Sequence, residues 1–115
     1  MADDDRTSPR EFGVQVSEDG DGRTLVAVSG EVDVYTAPRL RDCLYDLIGD
    51  GKMQLVIDFS DMDFIDSTGL HAIVESVRTA KSVGRKLKLS AELPAHARRL
   101  MEIVGLLPFI PIAPD

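Results

Sequence analysis

The alternation of apolar and polar residues near the start of the chain predicts two β-strands joined by a tight turn. Phe12, Val14 and Val16 alternate with small or polar residues, which is the period of a strand with one buried face. Residues 18–22 are acidic and rich in glycine, and residues 23–29 contain a second apolar run. Because the link between the two runs is so short, we expect an antiparallel hairpin.

Apolar residues at helical spacing predict the first helix after this hairpin, with residues 30–35 as its connection. Thr36 is expected to be the N-cap, and Pro38 falls in the first turn, where its missing N–H costs little. Gly49 and Gly51 are expected to end the helix. The predicted buried stripe consists of Leu40, Cys43, Leu44, Leu47 and Ile48.

A continuous apolar run at residues 55–59 predicts the central strand of the sheet, buried on both faces. The acidic residues 60–63 that follow it are expected to form a turn. A second helix is predicted at about residues 68–83, ending at Gly84. Its predicted core stripe consists of Leu70, Ile73, Val74, Val77 and Ala80.

The last third of the chain predicts a strand, a helix and a short segment at the sheet edge. Residues 86–89 alternate between Lys and Leu, which is typical of a strand with one wet face. Pro94 can open a third helix that runs to Val104 and stops at Gly105. The segment 109–112 follows one proline and contains another, so it would suit only an edge strand. The order ββαβαβα, with or without this last strand, predicts a single α/β domain whose mixed sheet of four to five strands is covered by helices.

Composition narrows the class of protein. The chain has 115 residues, which suits one domain, and we expect a disordered tail at residues 1–10 and a folded domain at residues 11–113. One cysteine excludes an internal disulfide framework and favours a reducing, cytoplasmic location. No apolar run approaches the length of a membrane span. The net charge of −7 argues against direct binding to nucleic-acid phosphates.

The most chemically addressable feature is the hydroxyl of Ser67, which lies at a predicted strand-to-helix junction beside Asp66 and Thr68. As a nucleophile it would need a base and an oxyanion hole. The chain has no G-x-S-x-G elbow, and His71 lies in the predicted helix itself. Serine catalysis is therefore disfavoured, and we expect no enzymatic activity.

Two other interpretations of Ser67 stay open on the residues alone. Its oxygen can cap the predicted helix by accepting a backbone N–H, a contribution of about 1 kcal/mol. Alternatively, a hydroxyl exposed at a helix start is accessible to a kinase, and the helix dipole favours a phosphate there. Asp63 and Asp66 lie close by in sequence, so the added charge would change the local field and repel a docked partner.

No metal or cofactor is predicted. The run of Asp58, Asp61, Asp63 and Asp66 lacks the glycine and the distal Glu of a calcium-binding EF-hand loop. These carboxylates would make at most an unspecific magnesium site. Cys43 lies in an apolar stripe and is predicted to be a buried, inert thiol.

Two short motifs stand out within this order of elements. One is Asp-Ser-Thr-Gly-Leu at residues 66–70, soon after the apolar strand. The other is Gly-Glu-Val-Asp at residues 30–33, followed by Thr-Ala-Pro at residues 36–38 and by Leu40. In these motifs, their order and the predicted elements, the chain resembles a STAS domain of the anti-sigma factor antagonist (anti-anti-sigma factor) family, over about residues 12–112.

The resemblance implies a regulatory protein that switches partners. In that family a cognate anti-sigma factor, itself an ATP-dependent serine kinase, phosphorylates the serine that matches Ser67. The unphosphorylated protein binds the anti-sigma factor, and this frees a sigma factor for RNA polymerase. A phosphatase restores the active form.

The resemblance also implies a docking surface around Ser67, with Asp33 near the phosphoserine. Thr68 is a second candidate for modification. Family members often carry glycine where this chain has His71, a difference that would alter the fit of a partner. The alternative within the family is a STAS scaffold or sensing module that binds protein partners without a phosphorylation cycle. The expected partner-binding residues are Asp33, Asp66, Ser67, Thr68, Gly69, Leu70 and His71.

Overall fold

A computed structural model describes residues 11–113, so the expected tail at residues 1–10 lies outside the described residues. The elements are β1 (Gly13–Glu18), β2 (Thr24–Val32), α1 (Ala37–Gly49), β3 (Gln54–Ile65), α2 (Ser67–Ser82), β4 (Lys86–Leu89), α3 (Ala95–Ile103) and a short 3₁₀ helix (Leu107–Phe109). The predicted order ββαβαβα is confirmed. Residues 30–32, predicted as connection, belong to β2.

The sheet is mixed, as predicted. β1 and β2 form the antiparallel hairpin, whereas β2, β3 and β4 run parallel to one another. The strand order is β1-β2-β3-β4. Parallel neighbours need a crossover connection, which α1 supplies between β2 and β3 and α2 supplies between β3 and β4. Within residues 11–113, no helix combines the length and the apolar character needed to cross a bilayer.

The hydrophobic core lies on one face of the sheet, and the expectation that β3 is buried on both faces is wrong. Along β3, Ile57 and Phe59 are buried, whereas Asp58 between them is only partly buried. β2 shows the same alternation, so the opposite face of the sheet stays open to solvent. The largest completely buried side chains include Phe59, Leu40, Leu44, Leu55, Ile57, Leu70, Ile73, Leu89 and Met101.

The apolar stripes of the two longer helices pack into this core. The whole stripe predicted for α2 is buried, and in α1 Leu40, Leu44 and Ile48 are buried. Cys43 is only partly buried, in contrast to the prediction. Its desolvation, and then the charge of Asp46, raise the pKa of the Cys43 thiol. The thiol is therefore protonated at neutral pH, as its predicted inert role requires.

The acidic stretch that follows Phe59 is not the predicted turn but the second half of β3. Its pairing with β2 shifts register twice, and at each shift β3 contributes one extra residue. Such extra residues are β-bulges, which bend a strand and increase its twist. Across the two bulges the buried residues Phe59, Met62 and Ile65 recur at every third position. The bulges therefore carry the strand on to the start of α2 while its apolar residues stay on the core face.

The last described residues form a single bridge in place of the predicted edge strand. Pro108 lies in the 3₁₀ helix, and Ile112 makes one parallel bridge to Leu89. The Leu89 N–H donates to the Pro111 carbonyl at 2.9 Å, and the Ala113 N–H donates to the Leu89 carbonyl at 2.7 Å. Because proline has no N–H to extend a ladder, pairing stops at this bridge. The sheet therefore has four strands among the described residues.

The first turn of α2 packs very closely against the end of β2 at Gly69. A Cβ atom there would lie 2.8 Å from side-chain carbons of both Val32 and Ile65, and 3.1 Å from the Val32 carbonyl oxygen. Carbon atoms at optimal contact are about 3.5–4.0 Å apart, so a 2.8 Å approach is strongly repulsive. Only glycine lets α2 begin in this position.

Replacing the largest core side chain should test the one-faced core. Phe59→Ala is expected to lower the free energy of unfolding by about 3–5 kcal/mol, because it leaves a cavity under the helices. Phe64→Ala is the matched control on the same strand, since Phe64 is 47% exposed, and it should cost less than about 1 kcal/mol. Urea unfolding of both variants makes the measurement; equal losses would show that the core is placed wrongly.

The close approach at Gly69 makes a second prediction. Gly69→Ala should destabilise the protein by about 1–3 kcal/mol, because the added methyl group overlaps Val32 and Ile65. Gly49→Ala is the control: Gly49 lies in α1 and has nothing within 4 Å of the added carbon. It should be neutral or stabilising by up to about 1 kcal/mol, since alanine favours helix more than glycine does. A Gly69→Ala protein as stable as the wild type would contradict the tight packing.

Candidate functional site

Asp66 caps helix α2. Its carboxylate accepts a hydrogen bond from the Gly69 N–H at 3.0 Å, the pattern of a helix N-cap. Its own backbone N–H donates to the Val32 carbonyl at 3.2 Å, which ties the cap to β2. Ser67 is instead the first residue of the helix. The interpretation of Ser67 as the capping residue is therefore wrong.

The Ser67 hydroxyl is consequently free of a structural task. Ser67 and Thr68 are both exposed, and neither hydroxyl is hydrogen-bonded to another residue of the described part of the chain. Both side chains project from the first turn of α2, where the unpaired backbone N–H groups of the helix create a positive partial charge. The site thus presents two accessible hydroxyls at a helix start.

The loop from Asp33 to Thr36 is a compact hydrogen-bonded turn. The Asp33 Oδ1 atom accepts from the backbone N–H groups of Tyr35 at 2.9 Å and Thr36 at 3.1 Å. The Thr36 hydroxyl accepts from the Asp33 N–H at 2.9 Å and donates to the Glu31 carbonyl at 2.7 Å. Thr36 holds the predicted N-cap position of α1, but its side chain bonds back to the loop and not to the helix.

These hydrogen bonds keep Asp33 ionised. Partial desolvation pushes the pKa of Asp33 upward, but hydrogen bonds from the backbone of Thr36 and Tyr35 outweigh it, so the pKa lies below its ordinary value. Stability linked to this carboxylate is present above its unfolded-state pKa and is lost as the pH falls through the lower folded-state pKa. At neutral pH Asp33 is therefore a constant negative charge beside the start of α1.

Parallel pairing brings Asp33 and Asp66 to the same end of the sheet. Val32 of β2 pairs with Ile65 of β3, and each of them is followed directly by an aspartate. The carboxyl ends of adjacent parallel strands are where α/β proteins place binding sites. Two sequence segments more than thirty residues apart thus form one acidic surface around the start of α2.

Thr68 and His71 line a shallow depression between the starts of α1 and α2. The depression has a volume of about 130 Å³, and Pro38, Arg41 and Glu75 also line it. Pockets for small molecules measure about 300–1,000 Å³. A side chain of a protein partner therefore fits this depression better than a cofactor does.

Gly69 and Leu70 occupy different positions from the other expected partner-binding residues. Leu70 is completely buried in the core, and Gly69 is buried against β2. Neither presents a side chain at the surface in this structure. Both hold the first turn of α2 in place, and the exposed residues around them form the surface.

Exposed apolar residues near this end of the sheet were missed by the sequence reasoning. Val34 is 56% exposed and Tyr35 is 83% exposed, both in the turn after β2. Phe64, near the end of β3, is 47% exposed. The signal available in the sequence was two apolar residues between Asp33 and Thr36, within a segment interpreted only as a connection.

The surroundings of Ser67 do not form a catalytic arrangement. His71 is exposed one turn along the same helix and is not hydrogen-bonded to Ser67. Across residues 11–113, no group of three or more His, Cys, Asp or Glu side chains could hold a metal ion. What the site offers is an exposed hydroxyl, fixed negative charge and apolar contact area, a combination suited to protein recognition.

Known proteins are similar to this chain in sequence and in fold. The family model of the STAS domain matches residues 15–115. The chain is 40% identical over 88 residues to the anti-sigma-B factor antagonist of Bacillus subtilis (strain 168), and this alignment covers 76% of this chain and 79% of that protein. It is 32% identical over 81 residues to the anti-sigma-B factor antagonist of Staphylococcus aureus (strain NCTC 8325 / PS 47), and this alignment covers 70% of this chain and 74% of that protein.

A solved structure agrees with these relatives. The crystal structure of an anti-sigma factor antagonist from Mycobacterium paratuberculosis superposes with a TM-score of 0.78 and 32% sequence identity, covering 94% of this chain and 90% of that one. The residues that the family model matches include the segment that carries Ser67. The resemblance stated from the two motifs is confirmed, and the chain belongs to the STAS domain family.

Proposed function

We propose that this protein is an anti-sigma factor antagonist whose activity is switched off by phosphorylation of Ser67. One observation carries the proposal: Asp66 caps α2, so the Ser67 hydroxyl is exposed and has no role in holding the helix. A hydroxyl in this position can be modified without loss of the fold. The relatives named anti-sigma factor antagonists support the same role.

In the proposed cycle the unphosphorylated protein binds an anti-sigma factor and frees a sigma factor. The contact surface comprises the exposed residues at the start of α2 and the turn after β2, while Gly69 and Leu70 position it from below. The anti-sigma factor is also the ATP-dependent kinase that phosphorylates Ser67, and a phosphatase reverses the modification. The protein acts in the cytoplasm, without direct contact to nucleic acid. The surface residues are Asp33, Val34, Tyr35, Asp66, Ser67, Thr68 and His71.

Electrostatics explain why a phosphate would end binding. A phosphoserine adds about 1.5 to 2 negative charges at pH 7. The start of α2 by itself would attract a phosphate, but the Asp66 carboxylate already occupies the capping position. Asp33 adds a second negative charge at the same end of the sheet. The phosphate therefore joins an existing acidic surface, and a partner that fits the unmodified surface meets repulsion and lost contact.

Ser67→Ala should abolish phosphorylation by the cognate kinase, because the hydroxyl is the acceptor. Incubation with kinase and ATP, followed by mass spectrometry, locates the phosphate. Thr68→Ala is the matched control and should still be modified. Label that persists unchanged in Ser67→Ala would exclude Ser67, and a wild-type protein that binds its partner but accepts no phosphate would favour the scaffold alternative.

A stability measurement checks that loss of label is not loss of fold. Ser67→Ala should change the free energy of unfolding by less than about 0.5 kcal/mol, as for other exposed positions. Asp66→Ala should lower it by about 1 kcal/mol, because it removes the cap. The opposite ranking of these two variants would contradict the division of roles between Asp66 and Ser67.

Asp33→Asn should weaken the effect of phosphorylation on binding. Asparagine retains an oxygen that can accept from the Tyr35 and Thr36 N–H groups, but it removes the negative charge. Phosphorylation weakens the affinity for the anti-sigma factor by some factor, and we expect this factor to be about twofold to fivefold smaller in Asp33→Asn than in the wild type. This is the size of one exposed charge interaction. Calorimetry on both forms measures it. Asp33→Ala is the comparison, because it also removes the side-chain oxygen that accepts the hydrogen bonds of the turn. If phosphorylation weakened binding equally in Asp33→Asn and in the wild type, the electrostatic account would be wrong.

A further inference from the structure

The outer edge of β4 is only half covered. The Lys86 N–H donates to the Met53 carbonyl and the Ser90 N–H donates to the Ile57 carbonyl, so these alternate residues face β3. In a parallel ladder the residues between them turn their backbone groups to the other side. Leu89 uses its outward groups to pair with residues 111–113. Leu87 also faces outward, but no described strand lies beside it.

A groove occupies the uncovered half of this edge. It has a volume of about 420 Å³ and lies between the end of α2, β4 and Pro111, whose carbonyl accepts from the Leu89 N–H. Its apolar lining is supplied by Val77, Leu87 and Pro111. The groove therefore continues, in line with residues 111–113, the position that a fifth strand would take.

The groove is strongly basic in an acidic protein. Residues 76–91 contain five Lys and Arg residues and no Asp or Glu, although the chain carries a net charge of −7. Four of these cations line the groove: Lys81, Arg85, Lys86 and Lys88. None of them is in an ion pair with a residue in the range 11–113.

Arg85 is held against the protein surface, with part of its hydrogen-bonding capacity unused. Its Nη1 atom donates to the Val83 carbonyl at 2.9 Å. Its Nε atom is buried and has no hydrogen-bond partner in the described structure. Arg85, held in this way, and the three Lys side chains give the groove positive charge close to an unpaired strand edge.

We infer that this groove binds an acidic, extended segment of a partner protein, which adds to the sheet as a strand beside β4. Strand addition to an exposed edge obtains its affinity from main-chain hydrogen bonds and its specificity from alternating side chains. Here the Leu87 N–H and carbonyl supply the main-chain groups. The four cations select a segment of opposite charge.

The alternation of β4 defines the pattern of that segment. Leu87 points into the core, whereas Lys86 and Lys88 point to the open face of the sheet. Neighbouring residues on paired strands share a face. The bound segment therefore places acidic side chains beside the two lysines and an apolar side chain between them, over Leu87 and Val77. Its motif is acidic, apolar, acidic.

Charge also excludes a second copy of this chain as the occupant. Two copies paired through β4 would bring their lysines face to face, and like charges directly opposite destabilise a strand pair. Lysine on an edge strand is a known protection against such pairing. An acidic segment turns the same charges into attraction.

This groove is independent of the surface around Ser67. Lys86 pairs with Gln54 at the beginning of β3, whereas Ser67 follows the end of that strand. The strand between them has 12 residues and is therefore about 36 Å long at about 3.3 Å per residue. The inference therefore goes beyond the proposed switch, and its failure would leave the role of Ser67 untouched.

Peptide binding to the full chain tests the inference. The probe is a fluorescein-labelled heptapeptide that alternates Glu and Val, measured by fluorescence anisotropy at about 0.05 M salt, where the Debye length exceeds 10 Å. Lys86→Glu combined with Lys88→Glu should weaken binding by about tenfold or more, roughly the sum of two reversed charges. Arg98→Glu combined with Arg99→Glu makes the same change of net charge on α3, which does not line the groove, and should weaken it by less than about twofold.

Backbone measurements separate strand addition from simple charge attraction. The bound peptide should slow hydrogen exchange of the Leu87 amide, while a peptide with proline at its central position should bind at least about tenfold more weakly, since proline has no N–H to pair. Equal losses in the two double variants would overturn the inference. So would undiminished binding of the proline peptide, or tighter binding of phosphatidylglycerol vesicles through the same lysines. If no peptide bound at all, the inference would also be overturned, and the lysines would serve only to protect the edge strand from pairing.

Discussion

The parallel pairing of β2 with β3 is the interaction on which the arrangement depends. It aligns Val32 with Ile65, so the turn after one strand and the helix after the other begin side by side. Without this register Asp33 and Ser67 would have no spatial relationship, since they are distant in sequence. The two bulges in β3 allow the two strands to stay paired as far as Val32 and Ile65, because they keep the apolar residues of β3 on the core face as the strand twists. The proposed recognition surface is thus built from the turn after one strand and the first turn of the helix after the next.

At the start of α2, two neighbouring residues divide two tasks that one residue often performs. Asp66 satisfies the helix and Ser67 stays chemically available. If the serine itself capped the helix, a phosphate on it would also disturb the backbone hydrogen bonds of the first turn. With the aspartate as the cap, a phosphate on Ser67 would change charge and shape at the surface and leave the buried side chains of Leu70 and Ile73 in place. The proposed switch is therefore one of surface complementarity, and it requires no change of fold.

The order of elements and the core of α2 could be predicted because they depend on local periodicity, which the chain displays clearly. The bulges could not, since they depend on which residue of β2 faces which residue of β3. The choice between Asp66 and Ser67 as the cap was equally hidden. Both types cap well, and the outcome depends on β3 extending to Ile65. Tyr35 was overlooked because an aromatic residue suggests burial, whereas the turn that carries it lies beyond the end of the sheet. The groove beside β4 needed knowledge of where residues 111–113 pair.

The contact at Gly69 has a consequence for how such a domain can diversify. Since no larger residue fits between Val32 and Ile65, Gly69 fixes how closely the start of α2 approaches β2, and the exposed side chains of the helix take no part in that contact. New partner preferences must then arise at the exposed neighbours, among them Thr68, His71 and Tyr35, none of which supports the core. Duplicated genes could drift apart at these positions with little penalty in stability. Several such antagonists could then coexist in one cell. Each would bind its own partner, because they would share one fold and differ in a few surface side chains.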